Sequence, residues 1–116
     1  MLGINEYQKK AHETADYPNG LIAESVHADY IYPALGLAEE AGEVAGKYAK
    51  AVRDCGGLVD DERKQAIIKE LGDVCWFVAE LATNLKVPLE DIMQRNLDKL
   101  ASRKQRNVIH GSGDER

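Results

Sequence analysis

Hydrophobic residues recur every three or four positions along most of the chain, in four segments separated by proline, glycine and aspartate residues. This spacing predicts amphipathic α-helices, and no segment shows the sustained alternation that predicts a strand. The helices are predicted to span approximately residues 5–15, 33–54, 61–85 and 89–106. Residues 21–31 are ambiguous and give at most a short helical turn. We therefore predict an all-α four-helix bundle without a sheet, with one domain over 1–106 and an irregular tail over 107–116.

Composition and charge narrow the class of protein further. The chain has 116 residues, which predicts one domain, and its 15 Lys and Arg against 20 Asp and Glu give a formal net charge of −5. This acidic balance argues against a nucleic-acid partner. No apolar run approaches the length of about 18 residues that indicates a membrane span, and the first residues lack the apolar core of a secretory signal. Two cysteines, Cys55 and Cys75, do not make a disulfide scaffold, so we expect a cytoplasmic protein.

Two of the predicted helices carry a pair of carboxylates beside their apolar stripe. In the second helix Glu40 borders the stripe, and Glu43 lies one turn further on, about 60° to the other side. In the third helix Glu70 lies within the stripe, and Asp73 lies about 60° to one side. The stripes consist of Leu37, Val44, Tyr48 and Ala51 in the second helix and of Ile67, Leu71, Val74, Val78, Leu81 and Leu85 in the third.

These acids point to a divalent cation. The short connection between the second and third helices favours antiparallel packing, which would bring the two carboxylate pairs together. Four acids at close range repel strongly unless they bind cations or protons, and Lys47 alone cannot balance them. Oxygen ligands suit Mg²⁺ or Mn²⁺, whereas Zn²⁺ prefers histidine or cysteine. The alternative is that each acid pair belongs to a solvated helix face, which is the usual explanation for a single such pair.

The fourth helix carries a different set of polar residues. Asn96 lies within its apolar stripe, and Lys99 and Arg103 lie at one edge, one turn apart. Two adjacent cations indicate an anionic ligand, and a magnesium site with cations nearby is typical of phosphate chemistry. The alternatives are ordinary surface charge for the two cations and a hydrogen-bonded buried amide for Asn96.

The acid pairs resemble the signature of a known enzyme family. The segment Glu40-Ala41-Gly42-Glu43 is followed, after 26 residues, by Glu70-Leu71-Gly72-Asp73, and later by Asn96-Leu97-Asp98-Lys99-Leu100. This arrangement resembles the ExxE…ExxD motif of MazG-type nucleotide pyrophosphohydrolases, members of the all-α NTP pyrophosphohydrolase superfamily. The resemblance covers roughly residues 30–106. The ending 111–116 is similar to the tails of some small single-domain members, and we assign it no role.

The resemblance implies a reaction and a role for each matched residue. Such enzymes hydrolyse a nucleoside triphosphate to a monophosphate and pyrophosphate. The acids Glu40, Glu43, Glu70 and Asp73 would hold Mg²⁺, with Mn²⁺ as an alternative, and Glu43 and Glu70 would be catalytic, Glu43 by orienting or deprotonating the attacking water. The residues that would bind phosphates are Asn96, Lys99, Arg103 and Lys47, although Lys47 could instead pair with Glu43. The resemblance also implies homo-oligomers, a tetramer more readily than a dimer, in which helices of two subunits complete each site.

The sequence leaves the base pocket and two other functions open. Candidates for contact with a base are Gln8, His12, Tyr30, Tyr32 and Trp76, and for each aromatic residue packing in the core or at a subunit interface is the stronger interpretation. A non-catalytic oligomeric binding or regulatory module, with its acids in salt bridges, is the first alternative function. A hydrolase of another pyrophosphate-linked nucleotide metabolite is the second.

Overall fold

Four α-helices make up most of the protein. The computed structural model describes residues 1–23 and 26–116, without side-chain placement for residues 22, 23 and 26. The helices are α1 (Ile4–Glu13), α2 (Ala28–Cys55), α3 (Asp61–Asn84) and α4 (Leu89–Gln105). The predicted all-α class is confirmed, and the bounds of α1, α3 and α4 agree with the predicted ones to within two residues. None of the helices in the described part of the chain is long and apolar enough to cross a membrane.

A small hairpin before α2 contradicts the prediction that the chain contains no sheet. Strand β1 (Leu21–Ala23) pairs with β2 (Val26–His27) in antiparallel fashion, with Leu21 opposite His27. Strands of three and two residues are too short for alternation to be recognised in the sequence. Residues 24 and 25, within the segment that the sequence left ambiguous, lie outside the described residues.

Helix α2 starts at Ala28, five residues before the predicted start at Pro33. The prediction was wrong because proline favours the first turn of a helix, whereas Pro33 lies inside this one. Pro33 has no N–H to donate to the main-chain carbonyl of Asp29, four residues earlier. The side-chain amide of Asn84, at the end of α3, donates to that carbonyl instead. A contact between two helices thus compensates for the hydrogen bond that the proline removes.

Helices α2 and α3 form the main helix pair of the fold. Gly56 ends α2 with φ 62°, and Asp60 caps α3 by accepting a hydrogen bond of 2.9 Å from the main-chain N–H of Arg63. The short link between them folds the helices back on each other. Gly36 lets them approach closely, because a Cβ there would overlap the Phe77 ring. This pairing brings the acids of the two helices to one place.

Helix α1 packs across α3, and α4 packs on α1 and on the end of α3. The buried core between them is small and consists of Ala11, Ala79, Ala82 and Leu89, with Tyr7, Trp76 and Val78 packed against it. Gln8 ties α1 to the turn before α4: its amide nitrogen donates to the carbonyl of Val87 at 3.0 Å, and its oxygen accepts from the N–H of Leu89 at 2.8 Å. The second half of α4 extends beyond these contacts, and most of its side chains are exposed.

The segment after α4 folds back along that helix. The guanidinium of Arg116 donates to the main-chain carbonyls of Val108 at 3.1 Å and of Ile109 at 2.9 Å. Asp114 contacts cationic side chains of α4. The Arg116 side chain therefore closes the tail on itself, and the Asp114 side chain holds the tail against α4.

Candidate functional site

Three carboxylates meet between α2 and α3. One oxygen each of Glu40, Glu70 and Asp73 lies within 4.8 Å of the others, and we call this group the acid cluster. Glu40 and Glu70 are half-buried, and Asp73 is exposed. The antiparallel pairing of the helices produces the cluster, because it sets Glu40 opposite the i, i+3 pair of α3.

The cluster raises the pKa of Glu40 above its ordinary value. Partial burial contributes most to this shift, followed by hydrogen bonding with Glu70 and by the negative charges of Asp73 and Glu70. Carboxylates that share a site oppose each other's ionisation, so one of them holds its proton more strongly. A bound cation would remove this opposition.

Glu43 lies outside the acid cluster. The structure thus brings together three of the four acids for which the sequence predicts metal binding, and leaves the Glu43 side chain exposed one turn away on α2. Its exposed carboxylate is free of the repulsion that affects Glu40.

Lys47 pairs with the cluster and not with Glu43. Its Nζ lies 3.7 Å from Glu70 Oε1, and both side chains are partly buried. Arg53, a further cation of α2, bonds to its neighbour Asp54 at 2.7 Å. Among the described residues, one ion pair therefore involves the cluster, and one lysine faces three carboxylates.

The donor chemistry of the cluster fits a hard divalent cation. Three carboxylates supply oxygen atoms alone, and Mg²⁺ and Mn²⁺ prefer such ligands. Burial raises the pKa of Glu40, the neighbouring carboxylates add to the shift, and Lys47 is the cation that pairs with the cluster among the described residues. The residues present therefore fit Mg²⁺ or Mn²⁺, which would supply the missing positive charge.

The cations of α4 contact the tail and not the acid cluster in the described part of the chain. Asn96 is exposed, whereas Arg103 is buried, with 6% of its side chain accessible. Lys99 Nζ and Arg103 Nη2 both bind Asp114 Oδ1, at 3.0 and 3.1 Å, and Arg103 also donates to the main-chain carbonyl of Asp114. These two cations lower the pKa of Asp114. In the described residues, the partner of the α4 cations is thus a tail carboxylate.

The residues proposed as base contacts have other partners. Gln8 is engaged with main-chain groups at the start of α4. Trp76 packs against the core, and its Nε1 donates to Thr14 Oγ1 at 2.8 Å, in agreement with the packing interpretation. The ring of Tyr32 stacks on Tyr17 with 5.1 Å between centroids, and Tyr30 meets His27 edge-on at 5.6 Å.

Sequence reasoning missed two acidic residues. Asp114 is an acid that follows two cations of α4, Lys99 and Arg103, in the sequence. No local pattern predicts that the tail folds back and brings Asp114 to them. Glu80 is completely buried, and its Oε2 lies 3.0 Å from Nδ1 of His12. The helical wheel carried a signal for Glu80, since it lies seven residues after Asp73 and hence on the same face of α3.

The fold and the acid cluster together define a small all-helical protein with a candidate site for a divalent metal. The MazG nucleotide pyrophosphohydrolase domain matches residues 33–108, more than half of the chain. The chain belongs to this family. Membership suggests a nucleotide pyrophosphohydrolase that acts on nucleotide substrates, and members of the family generally use divalent metals.

Two relatives show how far the similarity extends. The gene 37 protein of Mycobacterium phage L5 is 46% identical over 115 residues, which cover 99% of this chain and 100% of the relative. The uncharacterized protein YvdC of Bacillus subtilis (strain 168) is 41% identical over 76 residues, which cover 58% of this chain and 68% of the relative. No solved structure matches significantly. Neither name states an activity, so the functional argument depends on the family and on the site.

Proposed function

We propose that this protein hydrolyses nucleoside triphosphates between the α- and β-phosphates, releasing a nucleoside monophosphate and pyrophosphate, and so removes surplus or aberrant nucleotides. The observation that carries the proposal is the acid cluster, three carboxylates within 4.8 Å that fit a divalent cation. This function would be carried out in the cytoplasm, in keeping with the unbonded thiols of Cys55 and Cys75.

In this proposal the residues of α2 and α3 have distinct roles in metal binding and catalysis. Glu40, Glu70 and Asp73 would hold Mg²⁺ or Mn²⁺. When bound, the cation would lower the pKa of water and polarise the α-phosphate. Glu43, exposed and outside the cluster, is available to orient the attacking water and accept its proton. Lys47, next to Glu70, would position that carboxylate and face the phosphates.

Asn96, Lys99 and Arg103 would bind the phosphates that leave as pyrophosphate. The contact with Asp114 supports this assignment, because it shows that Lys99 and Arg103 can together bind one oxyanion. Lys99 is more accessible than Arg103, with 39% of its side chain exposed against 6%, so Lys99 would make the direct contact. Arg103, buried against the tail, would position Lys99 through their shared partner.

Because no contact joins Lys99 or Arg103 to the acid cluster among the described residues, we propose that α4 reaches the cluster of a partner copy. Helix α4 exposes four apolar side chains: Ile92, Met93, Leu97 and Leu100. Such a surface is typical of association. A homo-oligomer, a tetramer more readily than a dimer, would bury this surface and bring Lys99 to the phosphates.

The proposed reaction is tested by its products. Each common ribo- and deoxynucleoside triphosphate is incubated with the protein and Mg²⁺, and the products are resolved by ion-exchange chromatography. We expect equal amounts of monophosphate and pyrophosphate. Orthophosphate with a diphosphate would contradict the proposed bond cleavage, and no turnover of any triphosphate would contradict the proposed enzyme. Turnover of another pyrophosphate-linked nucleotide would instead support the second alternative.

The raised pKa of Glu40 predicts that Mg²⁺ stabilises the protein more at pH 8 than at pH 5. Without metal, the contribution of Glu40 to stability is fully present below its ordinary pKa of 4.5 and is lost as pH rises through the raised value. Since Mg²⁺ binds the ionised carboxylate, it competes with the proton at low pH and relieves the repulsion at high pH. The melting temperature, measured with and without Mg²⁺ at both pH values, should show the larger increase at pH 8.

Two variants control this measurement. Glu40→Gln should abolish most of the pH difference, because a glutamine carries no titratable proton. Glu39→Gln, which removes the exposed acid just before Glu40, should preserve most of it, because the charge of Glu39 makes the smallest contribution to the raised pKa of Glu40. An equal effect of Mg²⁺ at both pH values in the unaltered protein would contradict the predicted metal site.

A further inference from the structure

A polar cavity of about 370 Å³ lies between the end of α1, the start of α2 and the end of α3. The proposed hydrolytic site does not use it. Its lining residues are His12, Ala15, Tyr17, Asn19, Asp29 and Asn84. The volume lies within the range of small-molecule sites, and the lining includes one acid, two amides, a histidine and a tyrosine.

Glu80 lies behind the wall of this cavity, and its carboxylate is fully buried. Oε2 contacts His12 Nδ1 at 3.0 Å, whereas Oε1 has no hydrogen-bond partner among the described residues. An unpaired oxygen of a buried carboxylate is costly, so a hydrogen-bond donor that reaches this oxygen would stabilise the site. His12 is half exposed, which leaves the cavity side of this pair open.

A second unpaired oxygen lies in the same cavity. Asp29 Oδ1 is buried and has no hydrogen-bond partner in the described part of the chain, although His27 Nδ1 approaches to 3.5 Å. Asn84 fixes the position of this residue by donating to its main-chain carbonyl, and the same amide lies 3.4 Å from the hydroxyl of Tyr17. The cavity is therefore lined by the Asp29 carboxylate, has the buried Glu80 carboxylate behind His12, and would receive a ligand with N–H donors.

Tyr17 contributes an aromatic ring to the lining of the cavity, and two further aromatic rings pack against it. Tyr17 stacks on Tyr32 and meets Trp76 edge-on, with 6.2 Å between the latter pair of centroids. Burial raises the pKa of Tyr17, and the Glu80 and Asp29 carboxylates add to the shift, so the hydroxyl remains protonated. A flat, polar ring would find stacking surface and acceptors at the same site.

The cavity is placed to receive one end of a nucleotide. Asp73, Phe77, Glu80 and Asn84 follow one another along a single face of α3. Seven residues separate Asp73 from Glu80, which corresponds to about 10 Å along the helix axis. The aromatic rings of Phe77 and Tyr32, 6.1 Å apart, lie between the two ends. A nucleoside can span this distance when its phosphates are at the acid cluster.

We propose that the polar cavity binds the base of the nucleotide and that Asp29 and Glu80 select a base with a ring N–H next to an exocyclic amino group, as in guanine. Adjacent donors can bond to a carboxylate together. Adenine and cytosine place a ring acceptor beside their amino group, and thymine places its N–H between two carbonyls, so each sets an acceptor against the acids. This inference rests on the proposed function for the position of the phosphates.

The test measures binding of GMP, AMP, CMP and TMP to the full chain without metal, by calorimetry and by Trp76 fluorescence. We expect GMP to bind at least about tenfold more tightly than each of the others, the range of a charged hydrogen bond. Asp29→Asn should remove this preference, and Glu80→Gln should weaken it. Glu13→Gln, which removes an exposed acid next to His12 without altering the lining, should keep it.

Equal affinity for the four monophosphates, or a preference for GMP that survives in both Asp29→Asn and Glu80→Gln, would overturn the inference. Circular dichroism and the melting temperature establish that each variant is folded. A separate assay of pyrophosphate release in the presence of Mg²⁺ distinguishes failure of this inference from failure of the proposed function. Hydrolysis of all triphosphates with equal efficiency would refute the base selection and leave the enzyme intact, whereas a GMP preference without any hydrolysis would support the cavity and refute the enzyme.

Discussion

Glu70→Gln is expected to lower Mg²⁺-dependent pyrophosphate release by at least about a thousandfold, because a bound cation contributes several kcal/mol to such a reaction. Glu70 belongs to the acid cluster: one of its oxygens lies within 4.8 Å of those of Glu40 and Asp73, and it pairs with Lys47 at 3.7 Å. Glutamine keeps the shape of the side chain but removes the charge that the cation needs. The rate is measured as pyrophosphate formed at saturating triphosphate and Mg²⁺.

The fold should survive this substitution. Removing one of three mutually repelling charges offsets the loss of the partly exposed ion pair with Lys47, so the melting temperature without metal should change little. Glu39→Gln serves as the matched control, since it removes an exposed acid next to Glu40 and should retain activity. A folded Glu70→Gln variant with the activity of the unaltered protein would refute the assignment of the acid cluster as the metal site.

The helices and the meeting of the acids could be predicted because both follow from local periodicity. An i, i+3 pair on each of two helices fixes which face carries the charge, and a short link between the helices fixes how those faces meet. Glu40, Glu70 and Asp73 therefore come together as the sequence predicts. Glu43 does not join them. Helical periodicity gives the direction of its side chain on α2 but not the distance of that side chain from α3.

What the sequence could not give depends on contacts between distant residues. Helix α2 extends before Pro33 because Asn84, 55 residues after Asp29, donates to the carbonyl that the proline leaves free. Glu80 finds its partner in His12, 68 residues earlier. In both cases a single polar side chain satisfies a group that local rules leave unpaired. Such compensation is visible only once the helices are packed.

The contact between α4 and the tail changes how the α4 cations are interpreted. The sequence predicts that Lys99 and Arg103 face a phosphate, and in the structure both face the Asp114 carboxylate. A carboxylate and a phosphate are both oxyanions, so the same two cations can bind either one. In the described residues these cations contact the tail and not the acid cluster between α2 and α3, so the proposal that two subunits share one site needs a direct test.

A shared site predicts that two defective variants restore each other. Glu70→Gln removes the metal site, and Lys99→Ala is expected to lower activity about a hundredfold by removing a phosphate contact. When the two chains are co-refolded in equal amounts, half of the symmetric dimers are mixed, and one of the two sites in each mixed dimer is intact. The mixture should therefore recover about a quarter of the wild-type rate of pyrophosphate release.

Recovery in the mixture distinguishes a site shared between subunits from a site within one subunit, since in the second case every site carries a defect and no activity returns. Lys104→Ala, which removes an exposed cation of the same helix, should remain active alone and provides the control for nonspecific charge loss. Light scattering on the refolded samples establishes that oligomers have formed. A mixture of folded, oligomeric chains without recovered activity would show that α4 does not serve the acid cluster of its partner, and full activity of Lys99→Ala alone would remove Lys99 from the phosphate site.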